Sequence, residues 1–209
     1  MKIIEVKNLE LPSVKLIRFG RFCDPRGFFT EPFRKSDFLN DPRLDFMKDV
    51  AFSQMNESYS KPKVIRGLHF QWNPFMGKLV RTLSGRMVDI FLDIRKGSKT
   101  FGQAAMYAMP DDSAADYSEW IWVPPGFAHG NFFNTESRIE YLCSGEYSPG
   151  CEAGISPLAS DIDWSLCRAE LKAEFLKIAK GKPLITDKDK SGFSVAGWEK
   201  DPRSENFRI

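Results

Sequence analysis

The sequence predicts an all-β fold, an antiparallel sandwich or barrel with short flanking helices. Three observations carry that expectation. Many short runs of alternating apolar and polar residues follow one another closely, punctuated by glycine and proline. Hydrophobic residues make up 42% of the chain and aromatics 13%, enough to fill the space between two layers. Only one long stretch, 166–180, changes clearly to helical spacing. At 209 residues the chain is expected to form a single domain, with a β core over about 15–165 and a helical C-terminal extension, 166–209, packed on it.

Taken in order, residues 1–34 read as short strands, with Asp24-Pro-Arg-Gly27 as a turn before Phe28-Phe-Thr-Glu-Pro-Phe33. Ser36 is placed to cap a short helix that ends at Asn40-Asp-Pro42. Residues 50–58 read as a strand, followed by a turn at Pro62 and a strand through Lys63-Val-Ile-Arg-Gly-Leu-His-Phe-Gln71. Residues 78–94 form the clearest hairpin pattern, two alternating runs about Ser84-Gly85, the second with Asp89 and Asp93 between apolar neighbours. Strands follow over 103–109 and from Trp120 to a proline turn. Residues 132–133 and 139–144 are expected to make the last sheet pair. In 166–180, Leu171, Phe175 and Ile178 recur at spacings of four and three, predicting an amphipathic helix that Gly181 ends.

The charge pattern excludes several classes. Thirty basic residues are dispersed among 28 acidic ones, so no basic stripe marks a nucleic-acid interface. No apolar run is long enough to span a membrane, and charges in Met1-Lys-Ile-Ile-Glu-Val-Lys7 interrupt any signal-peptide core. Cys23, Cys143, Cys151 and Cys167 show neither C-x-x-C nor zinc spacing, so free thiols in a reducing compartment are expected. The expectation is a soluble cytoplasmic protein.

There are two histidines, His69 and His129. Regular alternation would put Arg66 and Leu68 on one face and Gly67 and His69 on the other. A histidine beside glycine in a sheet interior leaves room for a ligand, and Arg66 and Lys78 flank it with positive charge. The arrangement Pro124-Pro-Gly-Phe-Ala-His129 resembles the second box of the cupin jelly roll. Metal-binding cupins complete that site with H-x-H, whereas His69-Phe-Gln71 lacks the second histidine. Two histidines fall short of a tight transition-metal set even with Gln71, so no metal is expected.

A wider resemblance runs in order from about residue 15 to 190. Its segments are Asp24-Pro-Arg-Gly-Phe-Phe-Thr-Glu31, Phe52-Ser-Gln-Met-Asn-Glu-Ser58, Arg66-Gly-Leu-His-Phe-Gln71, Gly77-Lys-Leu-Val-Arg81, the run 88–102, Val123-Pro-Pro-Gly-Phe-Ala-His-Gly130, Tyr141-Leu-Cys-Ser-Gly-Glu-Tyr147 and Leu184-Ile-Thr-Asp-Lys-Asp189. Together they resemble the dTDP-4-dehydrorhamnose 3,5-epimerases. The resemblance implies a cupin-like jelly roll, a homodimer, no cofactor, and a nucleotide-linked 4-keto-6-deoxy sugar as substrate. It implies His69 as general base with Asp189 as its carboxylate partner, and Tyr141 as the acid on the opposite face. Lys78 would stabilise the enolate, with Arg66 and His129 holding sugar and phosphates. Arg26 and Glu31 match nucleotide-binding positions reaching across the dimer, and Phe29 and Tyr147 match aromatics flanking the base. Gln54, Asn56, Glu152 and Lys188 match further substrate contacts. From the residues alone, Asp189 reads as a solvated charge in Asp187-Lys-Asp-Lys190, Tyr141 equally as a packing residue, and Arg81 and Arg86 as solvated surface.

The chemistry accounts for such a set. A C4 ketone acidifies the hydrogens on C3 and C5, because the carbanion spreads onto oxygen as an enolate. Inversion then needs a base on one face, an acid on the other, and positive charge at the oxyanion. The chain departs from the family pattern at Met76 before Gly77, at Asn131 where an aromatic is common, in two slightly shortened spans, and in a longer 167–182 stretch. These departures bear on the sugar accepted. Single-centre epimerisation, another nucleotide, or a non-catalytic sugar-nucleotide-binding cupin stand as alternatives.

Overall fold

Two antiparallel sheets face each other in the structure, a computed structural model that describes residues 2–209. The N-terminal part supplies β1 (Ile3–Asn8), β2 (Lys15–Gly20), β3 (Phe22–Asp24), β4 (Gly27–Phe29), α1 (Lys35–Asn40), β5 (Gln54–Ser60) and β6 (Ile65–Gln71). The middle supplies β7 (Lys78–Ser84), β8 (Arg86–Asp93), β9 (Ala104–Pro110), β10 (Tyr117–Val123), β11 (Phe127–Phe133), β12 (Ser137–Cys143) and β13 (Glu152–Gly154). Three helices follow, α2 (Ala169–Lys180), α3 (Asp187–Lys190) and α4 (Val195–Lys200). One sheet runs β1-β2-β10-β7-β12-β5, the other β13-β6-β11-β8-β9, and β3–β4 forms a separate small hairpin. This is the expected jelly roll. No helix among the described residues is long and apolar enough to cross a membrane.

Alternation distributes the side chains into three apolar layers. Val80, Phe91, Ile121 and Phe133 from both sheets meet between them. Behind the five-stranded sheet, Val88, Ile90, Leu92 and Phe132 pack against Leu171, Phe175 and Ile178 of α2 and Trp198 of α4. The predicted helical face is therefore the buried face. With both its surfaces covered, β8 is buried along nearly its whole length. Behind the six-stranded sheet, Ile17, Phe19, Trp120 and Trp122 pack against Phe38, Leu44 and Met47.

Several local expectations are corrected. Residues 78–94 do not form a hairpin: β7 pairs with β10 and β12, while β8 pairs with β9 and β11. Gly85, at φ +80°, carries the chain from one sheet to the other, and a Cβ there would lie 2.2 Å from the Glu136 carbonyl oxygen. A tight glycine turn between alternating runs looks the same whether the strands pair or part. For the same reason β11 and β12 are not partners but lie in different sheets. Ser36 lies inside the first turn of α1, whose N-cap is Arg34 with no side-chain cap. The strand expected over 50–58 begins only at Gln54.

Candidate active site

The cleft is built where the two sheets present polar side chains to each other. His69 on β6 and His129 on β11 are direct cross-strand partners, so the two imidazoles stand side by side on the five-stranded sheet. Tyr141 on β12 and Lys78 on β7 come from the six-stranded sheet, where Lys78 pairs with Cys143, two residues beyond Tyr141. His69, Lys78 and Tyr141 are common to two adjoining lobes of about 730 and 380 Å³. The larger adds Arg66, His129, Asn131, Ser58, Lys188 and Asp189; the smaller adds Gln54, Asn56, Tyr147 and Glu152.

Regular alternation along β6 does not hold. The register against β11 shifts between the His69 and Arg66 pairs, so Arg66 and His69 both reach the cleft while Leu68 is buried in the apolar layer behind. Gly67 sits at the irregularity with φ +104°. A Cβ on it would lie 2.7 Å from both Gly130 Cα and the His129 carbonyl oxygen. Only glycine fits.

Each histidine has its own carboxylate. Asp189 Oδ1 lies 2.7 Å from His69 Nε2, and its other oxygen accepts a hydrogen bond from the Gly67 backbone N–H at 3.2 Å. Thr186 caps α3 by accepting from the Asp189 N–H. The segment is tied to β6 and its flanks, with Leu184 bonded to Lys63 and Ile65, and Phe193 to Gly154 and Ser156. Asp189 is 6% exposed, not a solvated charge. Burial pushes its carboxyl up, but hydrogen bonds from His69, Gly67 and Thr186 outweigh that and hold it below the usual carboxylate range. His129 Nε2 is likewise 2.7 Å from Oδ1 of Asp89, which is fully buried on β8.

On the facing wall, burial lowers the Lys78 ammonium from its ordinary value, an effect only partly offset by Cys143, Asp89 and Glu152. Burial raises the Tyr141 phenol, keeping it protonated at neutral pH, against smaller opposing contributions from Asn56 and Arg66. Arg66 donates to Ser60 Oγ and the Tyr59 carbonyl, both at 3.0 Å. At the smaller lobe, Gln54 bonds Asn56 and accepts from the Tyr147 N–H. The Tyr147 hydroxyl donates to Glu152, which also pairs with Lys188 at 2.6 Å.

The cleft of this chain does not include Arg26, Phe29 or Glu31. Arg26 and Phe29 belong to the exposed β3–β4 hairpin and its turn, where Arg26 pairs with Asp24, and Glu31 pairs with Arg34 just beyond. Gln71 is committed to the backbone of its neighbouring loop, through Pro74, Glu146 and Ser148, and has no free donor set for a metal. Among the described residues no group of three or more His, Cys, Asp or Glu is arranged to hold a metal ion. Arg81 and Arg86 are not simply solvated: the first pairs with Glu140 against Trp120, the second with Glu174 on α2.

Asp89, Ser58, Asn131 and Thr186 were not marked as site residues by the sequence. Asp89 had a usable signal, an acid at alternating positions in an otherwise apolar strand.

A family model described as dTDP-4-dehydrorhamnose 3,5-epimerase matches residues 8–196. The dTDP-4-dehydrorhamnose 3,5-epimerase of Neisseria gonorrhoeae is 34% identical over 200 residues, which cover 94% of this chain and 54% of that protein. This chain thus spans about half the length of that relative. The enzyme of the same name from Sinorhizobium fredii is 33% identical over 193 residues, covering 82% of this chain and 94% of that one. Among solved structures, dTDP-6-deoxy-D-glucose-3,5-epimerase from Legionella pneumophila, in complex with dTDP-4-keto-L-rhamnose, superposes with a TM-score of 0.78. It is 29% identical, with 98% of this chain and 97% of that one covered. This chain belongs to the dTDP-4-dehydrorhamnose 3,5-epimerase family.

Proposed function

We propose that this chain epimerises a dTDP-linked 4-keto-6-deoxyhexose at C3 and C5, as a step in deoxysugar synthesis for a surface polysaccharide. The observation that carries the reading is His69 on one sheet, hydrogen-bonded to Asp189 of α3, in one cleft with half-buried Tyr141 and Lys78 from the other sheet. With Nε2–H donated to Asp189, His69 presents Nδ1 as the unprotonated base. It takes the proton from the carbon next to the ketone, and the electron pair moves into the carbonyl to leave an enolate. Lys78, which lines the same cleft, supplies its ammonium group to that oxygen. Tyr141 returns a proton to the opposite face. His69 ends with the proton taken and Tyr141 without the one given, and exchange with solvent restores both; the electron pair stays in the substrate, so no redox partner is needed.

Arg66 and the His129–Asp89 pair hold the sugar. Gln54, Asn56, Tyr147, Glu152 and Lys188 line the nucleotide end. Arg26, Phe29 and Glu31 act in a homodimer, entering the partner's cleft to flank and hold the nucleotide. Exposed Phe22, Phe28 and Phe29 on one small hairpin support that interface. We further propose that residues 166–209 fold with the β core as one domain, and that the protein works in the cytoplasm, a compartment suited to its four free thiols.

The test is incubation of purified protein with dTDP-4-keto-6-deoxyglucose in D2O, followed by NMR. Deuterium at C3 and C5 with formation of the L-sugar is expected. Deuterium at one carbon would reassign the protein as a single-centre epimerase, and tight binding without exchange as a binding module.

A further inference from the structure

The proposed roles leave unused two polar groups in the larger lobe. Among the described residues, Asn131 Oδ1 and Ser58 Oγ are shielded from solvent and have no hydrogen-bond partner in the protein. Both residues line the lobe that contains His69 and Tyr141, and they come from opposite sheets, Asn131 from β11 and Ser58 from β5. Asn131 is 5% exposed, and its amide nitrogen meets only the Met87 sulfur, at 3.9 Å. A buried amide oxygen without a partner is costly, so native sites that keep one commonly use it.

The chemistry of this end of the cleft selects its ligand. Asn131 is the direct cross-strand neighbour of Asp89, whose Oδ2 is also buried and without a partner. Two unsatisfied acceptors and a hydroxyl disfavour a phosphate and favour a hydrogen-bond donor. Four of the five residues assigned to the nucleotide, Gln54, Asn56, Tyr147 and Glu152, line the other lobe, and the fifth, Lys188, lines this one with its ammonium paired to Glu152, which leaves the sugar as the source of that donor.

We infer that Asn131 and Ser58, lining one lobe from opposite sheets, are a specificity-determining pair, Asn131 Oδ1 accepting a hydrogen bond from a ring hydroxyl of the bound sugar. The inference rests on the epimerase reading above. It makes the pocket a reader of hydroxyl placement, separate from the groups that move protons.

The test compares dTDP-4-keto-6-deoxyglucose with its 2-deoxy and 3-deoxy analogues, reading deuterium entry at C5, a carbon common to all three. In wild type, removing one of the two hydroxyls is expected to lower kcat/KM about tenfold or more. In Asn131→Leu, the same removal is expected to cost less than about threefold, because the acceptor is already gone. Equal losses for Asn131→Leu on the parent and both analogues would overturn the inference, as would a wild type indifferent to both hydroxyls. Retained dTDP binding and melting temperature verify folding. If Asn131→Leu does not fold, Ser58→Ala and Asn131→Gln carry the same comparison, supporting or overturning the inference on the same results. No exchange by wild type on the parent sugar would instead sink the epimerase reading, and the inference with it.

Discussion

Asp189 Oδ1 lies 2.7 Å from His69 Nε2, joining residues 120 apart in sequence. The same carboxylate accepts from the Gly67 N–H, so it holds both the imidazole and the strand irregularity that aims it. Orientation of the imidazole is thereby built into the docking of a four-residue helix on a strand.

Asp189→Asn tests that link. The amide keeps the shape but no longer favours the tautomer that leaves Nδ1 free, so exchange at C3 and C5 is expected to fall about a hundredfold or more. The stability consequence has a definite sign. The native carboxyl is held below its ordinary pKa, so its contribution is fully present above the usual carboxylate range and is lost as pH falls through the lowered native value. The melting-temperature gap between wild type and Asp189→Asn should be constant at neutral pH and close under acid.

Lys78→Met separates function from stability. Burial lowers the Lys78 ammonium, so its charge works against folding at neutral pH. The methionine variant should lose exchange activity yet melt higher, by about 2–4 °C for each kcal/mol recovered. Because the native pKa lies below the unfolded one, that gain should shrink as pH rises toward the ordinary lysine range. Calorimetry across pH checks both statements.

Tyr141→Phe should uncouple exchange from inversion. The base can still remove a proton and return deuterium to the same face, while delivery to the opposite face is lost. NMR should show residual deuterium entry with L-sugar formation reduced about a hundredfold.

The C-terminal extension makes a fourth prediction. Phe175 is buried against Phe132 and Trp164, so Phe175→Ala should cost about 3–5 kcal/mol in urea unfolding. A change near zero would mean that α2 adds little to the β core.

How much of this was legible in the sequence depends on the kind of contact. The all-β class and the buried face of α2 follow from local periodicity, which Leu171, Phe175 and Ile178 carry directly. Strand partners do not, since Gly85 supports a turn without saying whether β7 and β8 pair. The site splits along the same line. His69 and His129 stand out by scarcity and by neighbouring glycines, but their carboxylates come from elsewhere in the chain. Asp189 lies in an Asp-Lys-Asp-Lys run that reads as surface, and only family resemblance pointed to it. Its burial comes from the pairing of residues 184 and 193 with the edge near β6. Asn131 and Ser58 were legible as residues but not as lining one lobe, because they come to it from different sheets.

The role on which the proposed chemistry turns is that of His69 as the base for carbon. The most direct measurement is the rate of deuterium entry at C3 and C5 of dTDP-4-keto-6-deoxyglucose for His69→Asn against wild type, with dTDP affinity measured alongside. Exchange is expected to fall about a thousandfold at both carbons with dTDP affinity retained. Exchange at the wild-type rate in that variant would contradict the assignment.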